Sequence, residues 1–242
     1  MRIIIPNAKE LNTHFDNQPF QELPQNSKLV LEAIGTKSQK ELASFYKLSE
    51  EKAQLEWDRW QRIKTGQAKS YPAWQLYDGL MYRYMDRRDL NEKQVAYLQQ
   101  HVRLATGLYG LIQPLEQISP HRLDFQGSLK IGGQSLKQYW RPFFDQEVAG
   151  EDWILSLASS EFEQVFSPEI QSKLIRVVFK EEKAGQLKVH STISKKGRGR
   201  MLSWMVKNEV SSIEQLKNFD LDGFRYDSTS SEDNLLIFVR NG

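Results

Sequence analysis

The chain has no cysteine in its 242 residues. That absence excludes a disulfide scaffold, a cysteine zinc site, an iron–sulfur cluster and thiol redox catalysis. Histidine is scarce too. His14, His101, His121 and His190 show no metal-ligand spacing, so no metal site is expected. There is no Walker or Rossmann glycine fingerprint and no Gly-x-Ser-x-Gly elbow, and no cofactor is expected. Long apolar runs are also missing. The N-terminal Ile3-Ile4-Ile5 run is far short of a signal-peptide core, and nothing approaches the ~18 residues of a membrane span. With a mean hydropathy of −0.60, the reading is a cytoplasmic protein without a membrane partner. Proline (8) and glycine (14) form no linker, and no repeat period occurs, so residues 1–242 read as one domain. Charge of one sign does not dominate either. Lys+Arg 33 against Asp+Glu 31 leaves a net +2, so the distribution of charge matters more than its sum.

What is present reads as a mixed α/β, or α+β, fold with a central mixed sheet surrounded by helices. Arg2–Ile5 is a buried strand stopped by Pro6. Residues 27–63 are mostly helical, with Ser49 as an N-cap and Ala53, Trp57 and Trp60 on one core-facing stripe. Asn91 and Gln94 form a capping box. Val95, Leu98, Val102 and Ala105 then predict a helix running to Ala105, closed by Gly107 as a left-handed cap. Leu136 to Phe144 reads as a helix ending near Pro142. Residues 153–157, 175–180, 186–193, 224–227 and 235–240 read as strands, with a hairpin through Glu181–Gly185.

The strongest local signal is Ser194-Lys195-Lys196-Gly197-Arg198-Gly199-Arg200, followed by Lys207. From Ser194 to Asn208 there are bases and no acids. The segment reads as a loop running into a helix, with Lys196, Arg200, Ser203 and Lys207 on one face. Such a stripe can read phosphates or can be a solvated face. The glycines can bring the backbone close to a phosphate or make a turn. Lys9 follows the first strand, and Ser159-Ser160-Glu161 follows another. If the two strands are parallel, both loops emerge at one sheet edge, where ligands bind. Ser159 or Ser160 as an N-cap could turn helix N–H groups toward an anion or serve as a cap alone. Asp78, Glu161 and Asp227 are candidate acid/base carboxylates, though no spacing pairs them. Gly107-Leu108-Tyr109-Gly110 is compatible with a helix–hairpin–helix glycine hairpin or with a plain helix cap.

Several short motifs occur in order along the chain. They are Pro6-Asn7-Ala8-Lys9, Tyr77-Asp78-Gly79-Leu80 and Gly107-Leu108-Tyr109-Gly110. Pro114-Leu115, His121-Arg122-Leu123, Tyr139-Trp140 and Leu157-Ala158-Ser159-Ser160-Glu161 follow. Ser194–Gly199 and Gly223-Phe224-Arg225-Tyr226-Asp227-Ser228 complete the set. Together they resemble the YaaA family of bacterial peroxide-stress proteins. The resemblance implies a single α/β domain with a basic cleft and a helix–hairpin–helix-like element. It also implies DNA binding in the response to hydroperoxide, linked to intracellular iron. Carried over by motif, Lys9, Arg122, Lys195, Lys196 and Arg198 would line the cleft, and Gly107 and Gly110 would form the hairpin. Here Asn7 interrupts the family's Pro-Ala-Lys pattern, and Ser160 stands where Asp is usual.

The expected function is therefore a monomeric, cytoplasmic DNA-binding stress protein, largely sequence-nonspecific, with Lys9, Arg122, Ser159, Lys195, Lys196, Arg198, Arg200 and Lys207 as phosphate contacts. Two alternatives stay open. One is an enzyme acting on a nucleotide or nucleic acid through the same cleft. The other is an interaction protein whose basic helix meets an acidic partner. Without a thiol the chain cannot scavenge peroxide by the sulfenic-acid route.

Overall fold

The three isoleucines of the first strand are buried alternately on two sides of one sheet. Ile3 and Ile5 join one hydrophobic core and Ile4 joins the other. Alternation with period two is what a strand covered on both faces requires. The computed structural model describes residues 1–183 and 185–241. Its central sheet contains β1 (Arg2–Pro6), β2 (Val102–Thr106), β3 (Gly110–Ile112), β4 (Ile154–Ser156), β5 (Leu174–Lys183), β6 (Gln186–Lys188), β7 (Arg225–Tyr226) and β8 (Leu235–Asn241). The spatial order is β7-β8-β5-β4-β1-β2-β3, with β6 paired to the far end of β5. β8, β5, β4, β1 and β2 run parallel, while β7 and β3 close the edges antiparallel. The mixed α/β class read from the sequence is the observed one.

The longer helices cover both faces. They are α1 (Gln25–Gly35), α2 (Gln39–Tyr46), α3 (Glu50–Lys64), α4 (Glu92–His101), α5 (Leu136–Glu147) and α6 (Ser191–Lys207). On one face, Leu98 of α4 and Met201, Leu202 and Met205 of α6 pack with Val177 and Phe179 of β5. On the other, Val30, Trp60, Trp140 and Phe144 pack around Ile4 and Ile154. Phe179 is the hub of the first core. Its ring stacks on Phe238 at 5.7 Å and meets Phe224 and Phe219 edge-on. Burying a side chain of this size contributes roughly 1.5–3 kcal/mol.

The caps at Ser49 and Asn91 form as read, each accepting a backbone N–H three residues on. Four other expectations are corrected. The helix begun at Asn91 ends at His101, and Val102–Thr106 is a fully buried central strand. Apolar residues at Val102 and Ala105 satisfy a helical period by coincidence, and parallel pairing with β1 overrides it. Gly107 and Gly110 therefore close a β-hairpin between β2 and β3, so no helix–hairpin–helix forms there. Gly110 takes the positive φ of 77° that the tight turn needs. Pro142 does not end its helix. α5 continues to Glu147, held across the proline by the buried Trp140 and Phe144. Finally, the segment expected as a strand to Ile193 and then a loop is helix from Ser191 onward. The hairpin of β5 and β6 is present; Ala184, part of the expected connection, lies outside the described residues.

Both glycines of the basic segment lie inside α6 and are buried. A Cβ at Gly197 would meet the Phe179 ring at 2.6 Å, and one at Gly199 would meet the Met81 carbonyl oxygen at 2.2 Å. The pair is a packing device. It seats α6 flat on β5 and against Leu80–Arg83, which fixes where its lysines and arginines point. No described helix is long and apolar enough to cross a membrane.

Candidate functional site

β1 and β4 are parallel neighbours, with Ile3 opposite Leu155 and Ile4 opposite Ser156. The loops after them therefore leave the sheet at one edge. Pairing continues past the strands through Leu157 N–H to Ile4 C=O at 2.9 Å and Asn7 N–H to Ala105 C=O at 3.1 Å. The Asn7 amide donates to the Leu123 carbonyl at 2.8 Å, and the Tyr82 hydroxyl donates to the Pro6 carbonyl at 2.7 Å. These bonds hold the first loop rigidly. At this edge lies a pocket of about 240 Å³, with Lys9 and Glu161 on its two loops and Lys195 and Arg198 reaching in from α6. The carboxyl ends of parallel strands are where open sheets bind ligands.

Cations and carboxylates are matched in this pocket. Lys9 pairs with Asp124 at 3.3 Å. Asp124 also accepts the Gln126 N–H at 3.0 Å, and the Gln126 side-chain amide donates to Glu161. Burial pushes the Glu161 carboxyl above its ordinary value, and the nearby Asp124 charge adds to this, while the Gln126 bond, Lys9 and Lys137 oppose it. The Arg198 guanidinium is pulled down by burial, and Glu163 counters. Its Nε–H is buried and has no partner among the described residues. Glu163 sits beneath, accepting from Ser156 Oγ at 2.5 Å and Arg176 Nε at 2.8 Å. It is a buried anion with two charge-satisfying donors, so its role is to hold the ends of β4 and β5 together.

The other candidates go elsewhere, for identifiable reasons. Lys196 and Arg200 lie over the Tyr84 ring at 4.8 and 5.3 Å, and Arg200 also meets Asp222 at 3.3 Å. Ser203 Oγ accepts the Asp86 N–H at 2.6 Å. That stripe braces the helix against a neighbouring loop. Lys207 is exposed in the last turn. The Arg122 guanidinium stacks on Tyr46 at 5.2 Å and does not line the pocket. Ser159 is at the pocket and precedes a single helical turn, Ser160–Glu163, without a side-chain cap bond. So short a turn has no dipole to offer an anion.

Among the carboxylates, Asp78 is paired with Arg83 and Arg87, each at 3.2 Å, and Arg87 also donates to the carbonyls of Trp74 and Tyr77. It is a structural anion that pins the Tyr77–Gly79 turn. Asp227 follows β7, which runs antiparallel to β8, and so lies at the opposite ends of the strands from the pocket. Hydrogen bonds from Ser230 and the Thr229 backbone hold its carboxyl low. Glu161 is the one candidate carboxylate in the pocket. Sequence reasoning missed Glu10, Asp124 and Gln126, which no local pattern marks; Asp124 directly follows the quoted His121-Arg122-Leu123. No cluster of metal-ligating side chains occurs among the described residues.

A family model described as peroxide stress protein YaaA matches residues 1–230. The chain is 42% identical over 240 residues to a UPF0246 protein of Streptococcus gordonii, covering 99% of this chain and 98% of the relative. It is 43% identical over 240 residues to a UPF0246 protein of Streptococcus pneumoniae, covering 99% of each. A match of this extent, running through the sheet edge and α6 alike, settles the family and with it an association with oxidative stress: the chain belongs to the peroxide stress protein YaaA family.

Proposed function

We propose that this protein serves the peroxide-stress response by binding DNA at the sheet edge, largely without regard to sequence. The observation that supports this reading is the approach of Lys9, Lys195 and Arg198, from two distant stretches of chain, to one concave pocket. Phosphate neutralised by such groups releases counterions, so binding weakens as salt rises. With no cysteine, the sulfenic-acid route of peroxide scavenging is closed, which fits protection through what this surface holds. The test compares single-stranded, duplex and bubbled DNA across a salt series, for the natural chain and for Lys195→Glu with Arg198→Glu. Expected is a loss of affinity and a salt slope shallower by about 2, one per phosphate contact. Unchanged affinity and slope would sink the reading.

A second reading, an enzyme acting on a nucleotide or nucleic acid, is favoured by one feature. A carboxylate with a raised pKa, Glu161, stands in the same pocket as the Lys9–Asp124 pair. Turnover assays on nucleosides, nucleotides and nicked DNA test it, and blank results retire it.

A further inference from the structure

The pocket's dimensions and its unequal carboxylates narrow what it can hold; this inference rests on the nucleic-acid reading above. A volume of about 240 Å³ falls below the ~300–1,000 Å³ of drug-sized ligand sites. A concavity of this size has room for a phosphate with part of the group that carries it, and a duplex meets it at the rim. Arg198 lines this pocket, and its guanidinium is desolvated by burial with only Glu163 countering. A desolvated cation with so little counter-charge is costly, and an anionic oxygen satisfies it best.

The carboxylates are unequal. Asp124 is already engaged by Lys9 and by the Gln126 N–H. Glu161 is held by one neutral amide, that of Gln126. We infer that the pocket takes one nucleotide phosphate between Lys9, Lys195 and Arg198, and that Glu161 takes up a proton as the anion arrives. The charged groups around Glu161 are Asp124 on the facing loop, Lys9 and Glu10 after β1, Lys137 on α5, and Lys195 and Arg198 on α6. Burial and Asp124 already favour the neutral acid. An incoming phosphate adds like charge and pushes further the same way. Once protonated, Glu161 offers an O–H donor to a phosphate oxygen in place of a repelling charge. The ligand class is a nucleotide phosphate, either free or part of a strand.

Calorimetry with the dinucleotide dTpdT tests this, because its bridging phosphate does not titrate near neutrality. Thymidine 5′-monophosphate and a single strand of roughly 20 nucleotides serve as comparison arms. The natural chain is expected to bind dTpdT about fivefold more tightly near pH 5.5 than near pH 7.5. Near pH 6.5 it takes up a fraction of a proton, read from two buffers of different ionisation enthalpy. Glu161→Gln binds equally at both pH values without proton uptake, and Arg198→Gln loses dTpdT binding. Tighter binding of the monophosphate than of dTpdT marks a free nucleotide as the ligand, and the reverse marks a strand. Zero proton uptake by the natural chain overturns the inference, even if Glu161→Gln fails to fold. So does a Glu161→Gln pH profile identical to that of the natural chain. If the long strand binds and dTpdT and the monophosphate do not, the pocket inference falls while the nucleic-acid reading stands. If none of the three binds, both fall.

Discussion

On one side of α6, Lys195 and Arg198 face the pocket at the sheet edge; a residue or two away, Lys196 and Arg200 lie over the Tyr84 ring. All four belong to one acid-free segment of sequence. The difference lies in what each meets. Arg198 lines a concavity with only Glu163 countering its burial, whereas Arg200 has an aromatic face and Asp222. A cation already given a ring and a carboxylate is a brace, and a cation short of partners is available to a ligand. Charge in a sequence counts potential contacts, and only packing tells which remain open.

The comparison depends first on the seating of α6. Gly199→Ala would force a Cβ to within 2.2 Å of a backbone carbonyl, and overpacking of this kind costs about 1–3 kcal/mol. Denaturant unfolding should show the loss, with DNA binding reduced because Arg198 moves. An unaltered midpoint would mean that the helix is free to shift and that the two sides are not fixed.

The next effect separates the two sides directly. Lys195→Glu with Arg198→Glu should weaken single-stranded DNA binding by about tenfold or more, and Lys196→Glu with Arg200→Glu by about threefold or less. Equal losses would dissolve the distinction and return the original stripe of Lys196, Arg200 and Lys207 as the contact surface.

A smaller effect belongs to the bracing side. Tyr84→Leu removes the ring under both cations and should cost about 0.5–1 kcal/mol in thermal or chemical unfolding, leaving DNA affinity unchanged. A drop in affinity without a drop in stability would make Tyr84 a stacking platform.

The smallest effect reports on the pocket itself. The raised Glu161 pKa means that the folded state binds its proton more tightly than the unfolded state does. Its contribution to stability is therefore greatest below the ordinary carboxylate value and is lost as pH rises through the folded-state value. Glu161→Gln should make the protein slightly more stable at neutral pH, with a smaller gain near pH 4. Melting curves across that range that are parallel for the two proteins would place Glu161 in a solvated setting.

Much of the fold was legible where one local force dominates. The triple isoleucine reads as a strand because β-branched residues buried on both faces suit nothing else so well, and the caps at Ser49 and Asn91 are local hydrogen bonds. Val102–Thr106 escapes a sequence reading because Val102 and Ala105 continue the helical spacing of Val95 and Leu98, and the deciding partner is β1, about a hundred residues away. Gly197 and Gly199 were misread as loop formers because their purpose, close approach to Phe179 and Met81, is visible only in three dimensions. At the site, Lys9 and Glu161 were legible as strand-end residues. Asp124 and Gln126 were not, since they reach the pocket from a loop with no pattern of its own.

By itself the sequence determined the exclusions and the family: no thiol chemistry, an acid-free basic segment, and an ordered set of motifs spanning the chain. These depend on composition and order, which need no geometry. Tertiary structure decided which charges are spent and which are open. Ion pairs, ring stacking and burial are set by neighbours distant in sequence, and the same lysine or arginine becomes a brace or a ligand contact according to what the fold brings against it.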